Sequence, residues 1–544
     1  MKNTIFKNAV LLLIVAIVAA SCAKKLDLFP QNDLTPEKAY KTAAGYKSVL
    51  AKIYGTMATS GNTGPAGSAD ISGGLDEGSQ IAFIRMFFNC QELPTDEAVV
   101  AWNDQTIKDF HNFRWNDADP FLKGIYARPI YNVTLINEYL RECTDTKLND
   151  KKSKGDITDA EIADIKNSVA EVRFLRAFNY WVMMDLFGKS TFVTEEDKIG
   201  ATLPRQIERK DLFYYIAGEL KAIEGSLAPV KTIEYGRVDQ GAAWALLARI
   251  YLNANVYTGA SDTKAFDTAI VYSKKVIDGG YKLYDNYAGA FMADNDKAKD
   301  EFIYAINCDG LKTTGYGNTT FFVHCASGDD FKDYGVGGGW YGYRATSAFV
   351  NLFEDRTGAT DKRALFTTTK YGTDAAQLVI NDISDFNQGP RVKKYVNIRS
   401  DGGPVSDINK NFSDVDFPVF RLSEMYLIYA EAILRNGAGG DAGNALKYMN
   451  EIRKRAYGST NQGQINAVDL TLPFILDERA RELYWEGHRR TDLVRYGLLT
   501  SGTKLWPWKG GVSSGTAVDS KYNLFAIPSS NLVANSNLTQ NTGF

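Results

Sequence analysis

Between residues 159 and 188, apolar side chains recur at three- and four-residue steps. Val172, Leu175, Phe178, Val182 and Leu186 fall on one stripe, and Gly188 stands where the stretch would end. This is the period of a helix, and it returns along the chain. Helical patterns predict further elements over 35–54, 209–224, 239–256, 263–278, 419–436, 441–456 and 473–490. Gly279-Gly280 and the Gly437 to Gly440 stretch interrupt them as turns. A chain patterned in this way is confined to a mostly α fold. The helices do not fall at one fixed spacing. The Gly/Ser-rich run 58–79 and the Gly- and aromatic-rich run 309–345 lack periodicity, so the scaffold carries large inserted loops, where binding residues concentrate. The end, 522–544, reads as extended.

The first residues read as an address rather than as fold. Lys2 and Lys7 precede an apolar run from Ala9 to Ala20, too short to span a bilayer comfortably. Ala19-Ala20-Ser21 then leads into Cys22, which resembles a bacterial lipoprotein box, although Ala19 sits where Leu is usual. The expectation is a signal peptide over 1–21, with Cys22 as an acylated new N-terminus that tethers the body without spanning the membrane. Ordinary secretory cleavage beside an incidental Cys is the alternative. Residues 22–34 read as lipid anchor and tether, and 35–544 as a single helical body opened by Thr35 as N-cap and Pro36 at the first helical position.

Charge and special residues exclude several function classes. With 62 basic and 65 acidic residues the chain lacks the basic surplus of a nucleic-acid binder. Three histidines, His111, His324 and His488, argue against a His-rich metal site. Cys90, Cys143, Cys308 and Cys325 show no CxxC or CxxH spacing, so a zinc site is not expected. They permit three disulfide pairings, among which the sequence does not choose, or free buried thiols. The acidic run at 294–301 opens like an EF-hand with Asp294 and Asp296, but Lys299 occupies the place that needs Gly, and the motif is rejected. A structural calcium elsewhere is left open with no ligand set, and no cofactor is expected. No HExxH or P-loop occurs.

Several segments, in order, carry a family resemblance. They are Ala170–Thr194 (AEVRFLRAFNYWVMMDLFGKSTFVT), Gly236–Leu252 (GRVDQGAAWALLARIYL), Ala269–Tyr287 (AIVYSKKVIDGGYKLYDNY), Phe417–Ala432 (FPVFRLSEMYLIYAEA), Glu478–Gly497 (ERARELYWEGHRRTDLVRYG) and Phe525–Phe544. Together they resemble the SusD/RagB family of Bacteroidota outer-membrane lipoproteins over the whole mature chain. The resemblance implies a SusD-like fold, four TPR-like helix pairs with large inserted loops forming the ligand surface. It implies a lipid-anchored, cell-surface location in the outer membrane and a SusC-like TonB-dependent barrel as partner. It implies capture of oligomeric nutrients, usually glycans, without catalysis. Glu478, Glu482 and Glu486 share a helix face but are interleaved with Arg479, Arg481, Arg489 and Arg490, so ion pairing is the expectation rather than acid–base chemistry. His488, at a helix end, is expected to be structural.

Sugar rings present apolar faces and a rim of hydroxyls, so a glycan site needs flat aromatic rings beside Asn, Asp or Arg in irregular segments. Two regions offer this. One is 70–117, with Asp76-Glu77, Arg85, Trp102-Asn103-Asp104 and Trp115-Asn116-Asp117; the other is 313–344, with Tyr316, Trp340-Tyr341 and Tyr343-Arg344. The stretches LDEG, IRMFF and TDEAVVAWNDQ resemble the starch-binding members of the family. That resemblance assigns Asp76, Arg85, Trp102, Asn103, Asp104, Tyr316 and Trp340 to a site for α-glucan oligosaccharide. Trp115 reads as core, and Trp506 and Trp508 are not assigned. A different glycan or a peptide ligand is the alternative. A surface glycoside hydrolase using Asp76 and Asp104 is a distant third.

Overall fold

The computed structural model describes residues 35–544 apart from 65–68, 72–73, 199, 201, 368–377 and 459–461. The expected signal peptide, Cys22 and the tether lie outside the described residues. The main helices are α1 (Ala43–Gly55), α2 (Phe83–Glu92), α3 (Pro120–Glu142), α4 (Asp159–Leu186), α5 (Arg209–Ile223), α6 (Gln240–Leu252) and α7 (Lys264–Asp278). They continue with α8 (Thr319–Ala326), α9 (Leu422–Leu434), α10 (Ala442–Tyr457), α11 (Leu472–Leu483) and α12 (Arg489–Arg495). Strands are few and short. β1 (Val99–Val100) pairs antiparallel with β5 (Tyr343–Arg344), β2 (Ser190–Phe192) with β3 (Arg205–Ile207), and β4 (Phe302–Ile306) with β6 (Phe417–Arg421).

The longest helix shows why the local sequence folds as it does. Thr158 caps α4 through the Glu161 backbone N–H, and the Glu161 carboxylate accepts in return from the Thr158 N–H at 2.7 Å. Gly188, at φ +71°, lies just past its end. From Phe174 onward every residue of α4 is buried, because neighbours cover it on all sides. α3 packs on α4, α4 on α5, α5 on α6, α6 on α7, α7 on α9, and α9 on both α10 and α11. The helices thus stack in chain order, and the segments between α2 and α3 and between α7 and α9 are left to one another.

Several boundaries differ from the sequence expectation. The predicted 35–54 helix breaks after Ala39 and restarts at Ala43, because Thr42 caps the Gly45 N–H; Thr35 offers no side-chain cap. The predicted 419–436 helix begins with β6. The predicted 473–490 helix stops at Leu483, and the chain turns through Trp485 at φ +61° before α12. The predicted 239–256 helix ends at Leu252, with a separate turn at Ala254–Thr258. The extended tail contains a helix at Ser529–Ala534. α2, α3 and α8 have no counterpart in the expectation. All ten residues of α2 are buried, although Arg85, Asn89 and Glu92 fall on one polar stripe at helical steps.

The three glutamates are ion-paired as expected, but Glu486 lies beyond the end of α11, and of the interleaved arginines only Arg481 pairs with them; the other partners come from elsewhere in the chain and the pairs are buried. Glu478 contacts Arg363 at 2.8 Å, Arg453 at 3.0 Å and Arg481 at 2.6 Å. Glu482 meets Arg363, Arg421 and Arg455. Glu486 accepts from Arg421 at 2.7 Å and Lys394 at 2.6 Å, and Glu301 joins Arg421 at 2.9 Å to Arg455 at 3.0 Å. Burial opposes ionisation of Glu478, but Arg363, Arg481 and Arg453 outweigh it and hold its pKa at about 2. Glu482 is likewise held well below the usual carboxylate range by Arg455, Arg421 and Arg363. His488 is buried 3.9 Å from Glu424, a structural position as expected.

All four cysteines in the body are free and buried. Burial pushes the Cys143 and Cys308 thiols up to about 12. Asp294 pairs with Lys297 and accepts from Ser400, and among the described residues no group of three or more His, Cys, Asp or Glu is arranged to hold a metal ion.

Two predictions concern the buried charges. Glu478 and Glu431 titrate lower in the folded chain, at about 2, than in the unfolded one. Their stabilisation is therefore complete above about pH 4.3 and is lost as pH falls through the folded value. Calorimetry should show the melting temperature dropping steeply below about pH 4; a flat profile there contradicts the network's role. Glu482→Gln leaves three guanidiniums short of one counter-charge and should cost about 3–5 kcal/mol in urea unfolding. A loss below about 1 kcal/mol would show that its neighbours carry the charge without it.

Candidate functional site

The two irregular regions meet on one surface. β1 and β5 hold them together, with Val99 opposite Arg344 and Val100 opposite Tyr343. The pairing continues one residue further, where the Ala101 N–H donates to Gly342 O at 2.8 Å. Trp102 follows. Its half-buried ring packs edge-on against Tyr343 at 5.1 Å and Phe321 at 6.2 Å. Gly342 sits at φ +105°, and a Cβ there would lie 2.3 Å from Trp102 Nε1, so only glycine leaves the indole its place.

Arg85 comes from α2, where its own backbone N–H donates to Gly317 O at 2.9 Å. Its guanidinium is almost fully buried and lies over the rings of Phe321 at 4.6 Å and Trp102 at 5.5 Å. Burial lowers its pKa, against the attraction of Asp76 and Asp104. Gly317 brings the 309–318 loop onto the 74–82 loop: a Cβ there would lie 2.0 Å from Ala82 Cβ and 2.5 Å from Gly78 O. Asp76 is exposed, and its Oδ1 accepts the Ser79 N–H at 2.6 Å and the Ser79 hydroxyl as well. Asn103 and Asp104 are exposed just beyond Trp102.

Tyr316 and Trp340 supply the other rings. Tyr316 is 36% exposed and packs against Trp340 at 5.9 Å and Phe412 at 5.4 Å. Trp340 is half-buried; one face lies on His324, with centroids 4.5 Å apart and planes 18° apart. Next to it, Tyr341 holds φ +57°, with its hydroxyl accepting the Asp329 N–H and Arg391 packed against its ring at 5.7 Å. The fold therefore brings Trp102, Tyr316 and Trp340, each partly exposed, to one face with Asp76, Asn103 and Asp104, while Arg85, predicted as a ligand contact, is buried beneath Trp102 and Phe321.

Other residues of those stretches go elsewhere. Tyr343 and Arg344 are buried: the Tyr343 hydroxyl donates to Asn89 at 2.8 Å, and Arg344 donates to three backbone carbonyls. Trp115 is core, as expected, with its indole N–H on Leu524 O. Trp506 is core too, and Trp508 donates to Ile380 O. Sequence reasoning missed His324 and Phe412 as supports. A lone histidine in the apolar run TTFFVHCA carries no sign of the ring it will meet. A cavity of about 1030 Å³ between α1, α4 and the 226–237 segment shares no residue with this surface.

Glu92 and Glu97, behind β1, are not open to a substrate. Glu92 accepts the Gly487 N–H at 2.8 Å, and Glu97 accepts the Trp485 N–H at 3.1 Å. Both are buried, and burial pushes Glu92 up to about 7 and Glu97 well above its ordinary value.

Comparison with known proteins agrees with this architecture. Residues 366–544 match the profile of the SusD family. The starch-binding protein SusD of Bacteroides thetaiotaomicron is 36% identical over 580 aligned residues, spanning 99% of this chain and 98% of the relative. A SusD superfamily protein from Parabacteroides distasonis superposes with a TM-score of 0.68 at 22% identity, over 92% of this chain and 99% of the other. A laminarin-binding SusD-like protein does so with 0.68 at 19%, over 92% and 100%. Those two show the fold alone, whereas the identity and reach of the first relative carry the conclusion: this chain belongs to the SusD/RagB family, whose members are binding proteins rather than enzymes.

Proposed function

We propose that the protein is a cell-surface glycan-binding lipoprotein that captures starch and malto-oligosaccharides and delivers them to a SusC-like TonB-dependent barrel in the outer membrane. The observation that carries this reading is the surface on which Trp102, Tyr316 and Trp340 lie near Asp76, with Arg85 buried against the Trp102 ring. The apolar faces of glucose units stack on such rings, and the flanking Asp76 and Asp104 carboxylates and Asn103 amide read their hydroxyls. A polymer must run off both ends of its site, so an open platform suits it better than a closed cavity. The starch-binding name of the 36%-identical relative supports α-glucan as the ligand. The helical stack is read as four TPR-like pairs that hold the ligand loops, with the body tethered through acylated Cys22. The second reading keeps the platform and changes the glycan, since a protein of the same fold is described as laminarin-binding.

Titration calorimetry with maltoheptaose tests the ligand and the site together. Trp102→Ala and Trp340→Ala should each weaken binding by about 1–2 kcal/mol, roughly five- to thirtyfold. Full affinity in both would remove this surface from binding. A glycan array silent toward α-1,4 glucans but responding to another polymer would favour the second reading. Gly342→Val drives a side chain into Trp102 and should lose both stability and affinity; a variant with native melting temperature and affinity contradicts the packing described.

A further inference from the structure

Helix α8 places His324 directly beneath the Trp340 ring, 4% exposed and out of reach of a surface ligand. Its two nitrogens face two different segments. Nδ1 lies 2.6 Å from Gly338 O and Nε2 lies 3.0 Å from Asn411 O. Gly338 is two residues before Trp340. Asn411 precedes Phe412, the ring against which Tyr316 rests. The Trp340 N–H donates back to His324 O at 2.9 Å, and the Gly337 N–H donates to Lys410 O at 2.9 Å, so the two segments already meet there. Asp407 fixes the second of them, accepting from the Asn409, Asn411 and Phe412 backbone N–H groups.

The ring's hydrogen bonds have a definite proton requirement. Both partners are carbonyl oxygens, which only accept. A neutral imidazole has a single N–H and satisfies one of them, leaving the other against a lone pair; the doubly protonated ring donates to both. The positive ring would then lie flat on the Trp340 indole, a favourable cation–π arrangement. We propose that His324 is the positioning residue of the aromatic platform: it holds the Trp340 and Tyr316 segments in register through its two nitrogens and tightens that hold when it takes up a second proton. The proposal rests on the reading of this surface as the glycan site. Burial draws the ring's pKa below its ordinary 6.5, against the pull of the two carbonyls, so the second proton is taken up on the acid side. The other titratable groups around it are Cys325 on α8, Tyr316, Tyr334 and Tyr341, with Asp407 and Lys410 on the far segment. Among the described residues none of these hydrogen-bonds to the imidazole, and Asp330 pairs with Arg391 at 2.8 Å.

The test uses three proteins: the wild type, His324→Phe, which keeps a ring under Trp340 without donors, and His324→Gln, which keeps one donor nitrogen, that of its amide, without the ring. In the wild type, maltoheptaose affinity should rise roughly three- to tenfold from about pH 8 to about pH 5. Both variants should bind roughly five- to tenfold more weakly than the acid wild type, with a flat profile. The emission of Trp340, taken as the difference between wild type and Trp340→Phe without any glycan, should titrate over the same range and not in His324→Phe. Histidine-selective ¹⁵N spectra should show His324 gaining its second proton there; with three histidines in the chain it is identified by its loss in His324→Phe. A wild-type Trp340 emission and His324 spectrum that ignore pH overturn the proposal, as does a variant with wild-type affinity and pH profile. If no malto-oligosaccharide binds at all, the functional reading fails, and the ligand-free emission and spectra still judge the role of His324.

Discussion

The structure depends on a buried cluster of opposite charges at Glu478, Glu482 and Glu486. Charges taken out of water are costly unless each finds partners of opposite sign at close range. Here the partners come from far apart in the chain: Arg363, Lys394, Arg421, Arg453 and Arg455. Each must arrive for the others to be tolerated. The cluster therefore acts on register, fixing where β6, α10, α11 and the segment around residue 394 sit against one another, more than on net stability. Apolar packing alone would not discriminate so sharply between near-equivalent arrangements.

The aromatic surface around Trp102 and Trp340 is tied toward that cluster at two places. Beyond α11 the chain turns through Trp485, whose N–H and indole both bond to Glu97, and Arg489 holds Asp96 at 2.7 Å. Asp96 and Glu97 lead directly into β1 and Trp102. On the other side Asn397 donates to Phe412 O at 3.2 Å, and Thr319 donates to Val415 O, tying the Phe412 loop and α8 to the strand that carries Arg421. Loops rich in glycine can therefore present rings in fixed positions, because both of their ends are tied into a part of the molecule that cannot shift without separating charge.

The helical body was legible in the sequence where apolar residues recur at helical steps over several turns. α4, α7 and α10 announce themselves by period, and the ends of α4 and α7 by Gly188 and Gly279. α8 was not legible, since its apolar run TTFFVHCA lacks the polar half of the pattern, whereas α2 carries the period in Arg85, Asn89 and Glu92 and was within reach of it. Trp485 shows a different limit: nothing local says that a helix rich in Glu and Arg must stop there, because the cause is a glutamate nearly four hundred positions earlier. At the surface, Trp102, Tyr316 and Trp340 could be picked out as aromatic residues in irregular stretches. Tyr343, three residues after Trp340, looked no different and is core, because alternation along a two-residue strand is too short to read. The supports, His324 and Phe412, act through contacts between distant segments and leave no trace in spacing.

The four thiols are shut away without partners, which sets a kinetic rather than a thermodynamic condition. The native chain gains nothing from an oxidising environment and loses nothing in a reducing one. While it is unfolded, however, every sulfur is open to oxidants and to its neighbours. A molecule made in this way must close its core faster than its sulfurs can react, so that speed of folding, rather than a covalent staple, protects it on the way to where it works.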